Sequence, residues 1–306
     1  MPRKKSTLQT ALEYYGVRLL LGIVGAFPYR VSLQIGECIG ILFFHAFSGL
    51  RKTALRNLEL AFPANSSDKN RKLARETYRS LGRHIGFFSH FPKFEKADIR
   101  ELIEVRGKDK YFEARKEGRG ILFFTGHFGS WEVFNLLAPA FEEEMNILVR
   151  RLDNERVEQY VDSLRTKFGS VTLGKRGALR QLYRLLEEGK TLGILADLNA
   201  QHRDGVFVDF FGVPAATTKS IAKLVIKTNP FLFPAFAVWD MEAKRYCVHL
   251  EDPLEYELTG DKEADILSIT KKFTKSVEDW VRRHPEQWLW THKRWKTRPP
   301  GEKSLY

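Results

Sequence analysis

The segment that decides the fold runs from Ile121 to Glu132 and reads ILFFTGHFGSWE. Its first four residues are apolar, which predicts a buried strand. Glycines then flank His127, and Ser130 offers an N-cap for a helix that begins at Trp131. A strand, a tight turn and a helix in this order indicate an α/β sheet, and such sheets place ligand sites at the carboxyl ends of their strands. We therefore expect His127 at a functional site.

The same alternation of short apolar runs and longer helical segments continues to the end of the chain. It predicts a central mixed sheet flanked by helices. We divide the chain into an N-terminal membrane-associated helical segment, residues 1–50, and an α/β domain, residues 51–306. The predicted strands are 121–124, 146–149, 191–196, 231–239 and 246–250, and the predicted helices are 131–141, 155–168, 178–188, 217–228 and 262–283.

Two apolar stretches near the N-terminus, 19–27 and 39–47, are each shorter than the roughly 20 apolar residues of a spanning helix. We expect them to lie in the membrane interface or to form a shallow hairpin. The alternative is a pair of amphipathic helices packed on a soluble core. Basic residues on both flanks favour keeping both ends on the cytoplasmic side; they are Arg3, Lys4 and Lys5 before the pair, and Arg51, Lys52 and Arg56 after it.

Composition narrows the class of protein. The 306 residues are 43% hydrophobic and 29% charged, which excludes a disordered chain and a polytopic membrane protein. A net charge of +12 favours an anionic partner, which is a nucleic acid, an anionic membrane face or an acidic protein. The two cysteines, Cys38 and Cys247, form neither a disulfide framework nor a zinc-binding spacing. We predict no metal and no cofactor.

A histidine followed five residues later by a carboxylate occurs twice, as His127 with Glu132 and as His90 with Glu95. With 8 His and 38 acidic residues, chance alone gives about one such match. Context favours the first pair, because only His127 lies between a strand and a helix. The second pair is interrupted by Pro92, and we expect His90 to be structural or on the surface.

The pair at His127 fits base catalysis. An imidazole removes a proton from an attacking hydroxyl, and a carboxylate fixes its tautomer. Gly126 and Gly129 allow a substrate close to the backbone, and free N–H groups at the helix start suit an oxyanion. Because no Gly-x-Ser-x-Gly elbow is present, direct attack by the acceptor is favoured over an acyl-enzyme. The other interpretation of His127 is a core histidine beside a turn.

Several motifs, taken in order, resemble the late acyltransferases of lipid A biosynthesis within the lysophospholipid acyltransferase superfamily. The resemblance covers most of the chain. Its motifs are residues 56–63 (RNLELAFP), 125–132 (TGHFGSWE), 150–154 (RRLDN), 195–197 (LAD), 205–212 (GVFVDFFG), 216–218 (ATT) and 287–296 (QWLWTHKRWK).

The resemblance implies a glycerolipid-acyltransferase-like fold and an enzyme at the cytoplasmic face of the cell inner membrane. The implied donor is an acyl-carrier-protein thioester, and the implied acceptor is a hydroxyl of a glucosamine-based lipid A precursor. It implies no metal, nucleotide or nucleic acid. Acyl carrier proteins and phospholipid surfaces are acidic, which agrees with the basic charge of the chain.

The resemblance also assigns roles. His127 is the expected general base and Glu132 its orienting partner. Arg150 is expected to hold a phosphate or the developing charge, and Asp197 to pair with Arg150 or support it. We also expect substrate contacts at two residues of the turn, Gly129 and Ser130. The sequence reads Asp197-Leu198-Asn199 where family members often have Asp-Gln, so the role of that loop stays open.

The C-terminal segment, residues 282–298, interleaves basic residues with three tryptophans. This pattern suits a membrane interface, single-stranded nucleic acid or a domain-closing segment with buried tryptophans.

Other functions remain open at this stage. One alternative is an acyltransferase with the same chemistry whose acceptor is another glycolipid or a lysophospholipid. A second alternative is a thioesterase, in which water takes the place of the acceptor. In a different class, the chain is a non-catalytic basic protein that binds membranes or nucleic acid.

Overall fold

The structure is a computed structural model that describes residues 6–175 and 177–306. The basic residues Arg3, Lys4 and Lys5 lie outside the described residues. The helices are α1 (Thr7–Gly25), α2 (Tyr29–Ala46), α3 (Ser48–Ala61), α4 (Ser67–Phe88), α5 (Lys96–Leu102), α6 (Lys108–Lys116), α7 (Ala138–Phe141), α8 (Glu155–Arg165), α9 (Leu179–Glu187), α10 (Ser220–Thr228) and α11 (Lys262–Arg283). The strands are β1 (Ile103–Arg106), β2 (Ile121–Thr125), β3 (Met145–Val149), β4 (Ser170–Gly174), β5 (Thr191–Leu195), β6 (Gly205–Phe210), β7 (Val213–Thr218), β8 (Phe231–Asp240) and β9 (Arg245–Leu250).

Seven strands form one mixed sheet in the order β1-β9-β8-β2-β5-β3-β4. The neighbours from β8 to β4 run parallel, and β9 runs antiparallel to β8. Strand β2 therefore lies near the centre, between β5 and β8. The prediction of a central mixed sheet flanked by helices is confirmed.

The side chains of β2 alternate between two cores, one on each face of the sheet. Leu122 and Phe124 pack with residues of α9, α10 and α11. Ile121 and Phe123 pack with α6, α8 and the end of α4. Because every residue of β2 is buried, the strand reads as a continuous apolar run, as is usual for parallel sheets covered on both faces.

Two predicted helices differ from the observed elements, and four observed strands were not predicted. The predicted helix 131–141 is a 3-10 helix, Trp131–Leu136, followed by the short α7. The predicted helix 217–228 begins only at Ser220, because the preceding residues pair with β6 in a separate two-stranded hairpin. Strands β1, β4, β6 and β7 were not predicted; β6 and β7 carry motif residues, but Asp209 and Pro214 interrupt their apolar runs.

In the described part of the chain, no single helix is long and apolar enough to cross a membrane. One bent pair, α2 with α3, meets the length and composition requirement only when the two helices are taken together, and they meet at 91°.

Helices α2 and α4 approach each other through glycines. A Cβ atom on Gly40 would overlap the carbonyl oxygen of Tyr78, and one on Gly36 would overlap that of Gly82. Backbone atoms of one helix thus occupy the space that side chains of the other would need. This contact joins the N-terminal helices to α4, which reaches the central sheet where Phe87 meets Tyr246 of β9.

We expect Gly40→Ala to destabilise the protein by about 1–3 kcal/mol, because the added methyl meets rigid backbone. The matched control is Gly16→Ala, since Gly16 lies inside α1 with nothing near its Cβ position. That change is expected to stabilise by about 0.5–1 kcal/mol through helix propensity. Denaturant unfolding measures both, and equal stabilities for the two variants would contradict the close helix contact.

Candidate active site

His127 and Asp197 lie at the carboxyl ends of two neighbouring parallel strands. His127 follows β2, Asp197 follows β5, and Thr125 is in register with Leu195. Open α/β sheets place ligand sites at this edge. The two side chains are brought together although they are far apart in sequence.

Asp197 holds the His127 imidazole and its backbone at once. Its Oδ1 atom is 2.7 Å from His127 Nδ1, and its Oδ2 atom accepts the His127 backbone N–H at 2.7 Å. The Asp197 side chain is fully buried, whereas 13% of the His127 side chain is exposed. The imidazole therefore remains accessible while the carboxylate does not.

Asp197 is ionised and fixes the tautomer of His127. Burial alone raises the pKa of Asp197, but the charge of His127 and hydrogen bonds from His127 and Trp288 outweigh it and lower the pKa to about 2. An ionised carboxylate only accepts hydrogen bonds, so Nδ1 of His127 must carry the proton. When the imidazole is neutral, its lone pair lies on Nε2, where base catalysis needs it.

Glu132 lies elsewhere, and here the structure corrects the expected pairing. Its Oε1 atom accepts from Arg165 Nη2 at 2.5 Å, and its Oε2 atom accepts from Arg165 Nε at 2.8 Å and from Asn135 at 2.7 Å. Both members of this ion pair are buried, at 7% exposure for Glu132 and 12% for Arg165. The carboxylate at His127 Nδ1 is thus Asp197. A catalytic role for Glu132 stays a prediction.

The turn after His127 is held by the C-terminal segment. Gly129 N–H donates to the Gln287 carbonyl at 2.8 Å, and Leu289 N–H donates to the His127 carbonyl at 3.1 Å. Gly129 adopts φ +45°, and a Cβ atom there would lie 2.9 Å from the Ala237 carbonyl oxygen. The position therefore requires glycine for backbone reasons, and a direct substrate contact at Gly129 stays a prediction.

Ser130 and Arg150 occupy different surroundings from those expected. Ser130 is fully buried and does not cap the 3-10 helix with its side chain; its Oγ atom lies 2.8 Å from His84 Nδ1. Arg150 follows β3 with 79% of its side chain exposed, and its Nη2 atom is 3.7 Å from Asp153. The expected pairing of Arg150 with Asp197 is not formed. Substrate contacts by Arg150 and Ser130 stay predictions.

The C-terminal tryptophans are buried, which confirms the interpretation of a domain-closing segment. Trp288, Trp290 and Trp295 are each at most 1% exposed. Trp288 Nε1 donates to Asp197 Oδ2 at 2.7 Å. Asn57 holds the same segment by donating to the Trp290 and His292 carbonyls, each at 2.7 Å.

His90 is also buried, and its Nε2 atom lies 2.8 Å from Ser32 Oγ. The expectation that it is structural is confirmed.

Three contributors to the site carried no recognised signal in the sequence. They are Arg165, Trp288 in its role toward Asp197, and His84. Arg165 lies 33 residues from Glu132, and Trp288 lies 91 residues from Asp197. A polar side chain just after a predicted strand was the available signal; it applied to His127, Arg150 and Asp197 and to none of these three contributors. The described residues contain no group of three or more His, Cys, Asp or Glu placed to hold a metal ion.

The site combines an accessible imidazole with a buried carboxylate, which is the arrangement that base catalysis on a hydroxyl group or water requires. The chain belongs to the bacterial lipid A biosynthesis acyltransferase family, which matches residues 2–297, and it is an acyltransferase.

Relatives of known name align over most of the chain. A lipid A biosynthesis palmitoleoyltransferase of Escherichia coli K12 is 28% identical over 284 residues, covering 91% of this chain and 89% of the relative. A lauroyltransferase of the same organism is 27% identical, with 96% and 94% covered. A myristoyltransferase is 23% identical, with 84% and 78% covered.

The substitutions Asp197→Asn and Glu132→Gln distinguish the roles of the two carboxylates. We expect Asp197→Asn to lower kcat by roughly 10³–10⁴-fold with little change in fold, because the amide favours the wrong tautomer of His127. Glu132→Gln leaves Arg165 without its buried anion, and we expect it mainly to lower the melting temperature. Turnover and thermal unfolding are measured for both. Normal turnover by Asp197→Asn beside an inactive but stable Glu132→Gln would reverse this assignment.

Proposed function

We propose that this protein transfers a fatty acyl chain from an acyl-carrier-protein thioester to a hydroxyl of a lipid A precursor, at the cytoplasmic face of the inner membrane. The single observation that supports the mechanism best is the ionised Asp197 against His127 Nδ1, 2.7 Å away. The family supports the acceptor class.

In the proposed reaction, Nε2 of His127 takes the proton of the acceptor hydroxyl as its oxygen attacks the thioester carbonyl carbon. The tetrahedral intermediate carries an oxyanion. N–H groups that begin the 3-10 helix at Trp131 are candidates to stabilise it, because those of residues 127, 128 and 129 are already engaged. Collapse breaks the carbon–sulfur bond, and the leaving thiolate takes the proton from the imidazolium. The products are an ester and a free carrier thiol.

An acidic carrier protein fits the charge of the chain. The net charge of +12 favours encounter with acidic partners at low salt. The relatives are named for three different acyl chains, palmitoleoyl, lauroyl and myristoyl, so chain length is a variable for the assay.

The transfer assay supplies purified protein in detergent with acyl-carrier thioesters of several lengths and a tetra-acylated lipid A precursor. The acyl group of the thioester is radiolabelled, and we expect the unsubstituted protein to transfer this label to the lipid. We expect the transfer rate of His127→Ala to be lower by several orders of magnitude, because the base is removed. Free fatty acid formed without any acceptor would instead favour a thioesterase. Transfer only to a lysophospholipid or another glycolipid would retain the chemistry and reject the acceptor.

Exposed apolar side chains on α1 support membrane association. Twelve of the sixteen large apolar residues exposed in the described chain lie between Leu8 and Leu50. Leu12 and Leu19 are exposed by 65% and 64% and lie, with Leu8, Tyr15 and Ile23, on one helical face. An apolar face of this extent suits a helix lying in the membrane interface.

The same helix lies beside the active-site edge of the sheet. Asn154, which caps α8 just after β3, donates to the Thr10 carbonyl of α1 at 2.9 Å. Arg18 of α1 lies over the Tyr160 ring of α8 at 4.7 Å. A membrane that contacts α1 would therefore lie on the same side of the sheet as the carboxyl end of β3.

Vesicle flotation tests this surface. We expect the natural chain to float with vesicles of zwitterionic and anionic phospholipid, and Leu12→Gln with Leu19→Gln to reduce the floating fraction because apolar contact is lost. Leu258→Gln is the matched control, since Leu258 is 43% exposed but far along the chain from α1. Equal flotation of both variants would reject α1 as the membrane contact.

A further inference from the structure

His84 contacts the catalytic turn from outside the sheet. It lies near the end of α4, and its Nδ1 atom is 2.8 Å from the Oγ atom of Ser130. Its ring also stacks on the indole of Trp131, with centroids 4.6 Å apart and planes at 26°. One side chain of α4 thus touches two consecutive residues of the turn.

Trp131 in turn contacts His127. Its indole meets the His127 ring edge-on, with centroids 4.9 Å apart and planes at 63°. The rings of His84, Trp131 and His127 therefore form a continuous aromatic contact. His127 is held by Asp197 at one nitrogen and by Trp131 against its ring.

His84 is in the neutral form. Burial is the largest effect on its pKa, and the charges of Arg165 and His127 act in the same direction; together they outweigh the charge of Glu132 and lower the pKa to about 4. A neutral ring beside His127 adds no competing positive charge there. The contribution of His84 is therefore geometric.

We propose that His84 is a positioning residue for His127, acting through its hydrogen bond to Ser130 and its stacking on Trp131. The inference rests on the proposed function and concerns the same site. The Asp197 bond fixes one edge of the imidazole but leaves rotation about that bond. The edge-on contact with Trp131 restricts this rotation, which fixes the direction in which Nε2 points. Small misplacements of a catalytic group lower the rate without weakening substrate binding.

The two contacts of His84 are separable by substitution. His84→Phe keeps a ring over Trp131 but cannot bond Ser130, and Ser130→Ala removes the same bond from the other side. The matched control is His90→Phe, because His90 forms an equivalent 2.8 Å bond to Ser32 away from the site.

We expect His84→Phe and Ser130→Ala each to lower kcat roughly tenfold, the effect of one lost hydrogen bond in the turn, with KM unchanged. The double variant is expected to be no worse than either single one, since both remove one interaction. His84→Asn, which keeps a polar atom near the Nδ1 position, is expected to recover part of the loss. His90→Phe is expected to keep full kcat.

Three results would overturn the proposal. They are full kcat in His84→Phe, multiplied losses in the double variant, and a loss in His90→Phe equal to that in His84→Phe at similar melting temperature.

Imidazole nitrogen NMR tests the same point without turnover. With labelled histidine, and His127→Gln to assign the signals, we expect the His127 resonances to shift or broaden in His84→Phe but not in His90→Phe. Unchanged His127 signals in His84→Phe would overturn the positioning role. If the natural chain transfers no acyl group, the proposed function fails, while these spectra still decide whether His84 positions His127.

Discussion

The site depends on one buried carboxylate. Asp197 accepts three hydrogen bonds of 2.7 Å, from the backbone and ring of His127 and from the indole of Trp288. A buried carboxylate without such donors would be protonated or expelled to solvent. Because these donors come from the turn after β2 and from the C-terminal segment, ionisation of Asp197 requires both to be in place. The ionisation of Asp197 and the closure of the domain by the C-terminal segment thus depend on the same hydrogen bonds.

Two buried carboxylates near His127 have different tasks because they have different partners. Asp197 faces the His127 ring and the Trp288 indole, and it sets a tautomer. Glu132 faces the guanidinium of Arg165 in a two-bond ion pair, and it anchors the 3-10 helix to α8. An arginine takes both carboxylate oxygens in a fixed geometry, which leaves Glu132 committed to that pair. The spacing between His127 and Glu132 brings them into one turn without making them partners.

The sequence predicted those parts of the molecule whose signals are local. The helix at 262–283 was predicted to the residue, and in the structure Asp261 caps its start by accepting from the Glu263 and Ala264 N–H groups. The strand before His127 was predicted from its apolar run. The hairpin of β6 and β7 was missed because pairing between strands, rather than apolar content, defines it. Asp197 was predicted as a site residue, but it was paired with Arg150 instead of His127. Its position after a strand is a local signal, whereas its contact with His127 spans 70 residues.

The N-terminal helices and the catalytic turn are parts of one packed unit. The glycine contact places α2 directly against the backbone of α4, which leaves little freedom for sliding or separation. The last turn of α4 then carries His84 to Ser130 and Trp131. Helix α4 thus contacts α2 through Gly82 and Gly86, and Trp131 through His84. This gives a physical reason for the chain to keep glycines in these helices, where alanine would form a better isolated helix.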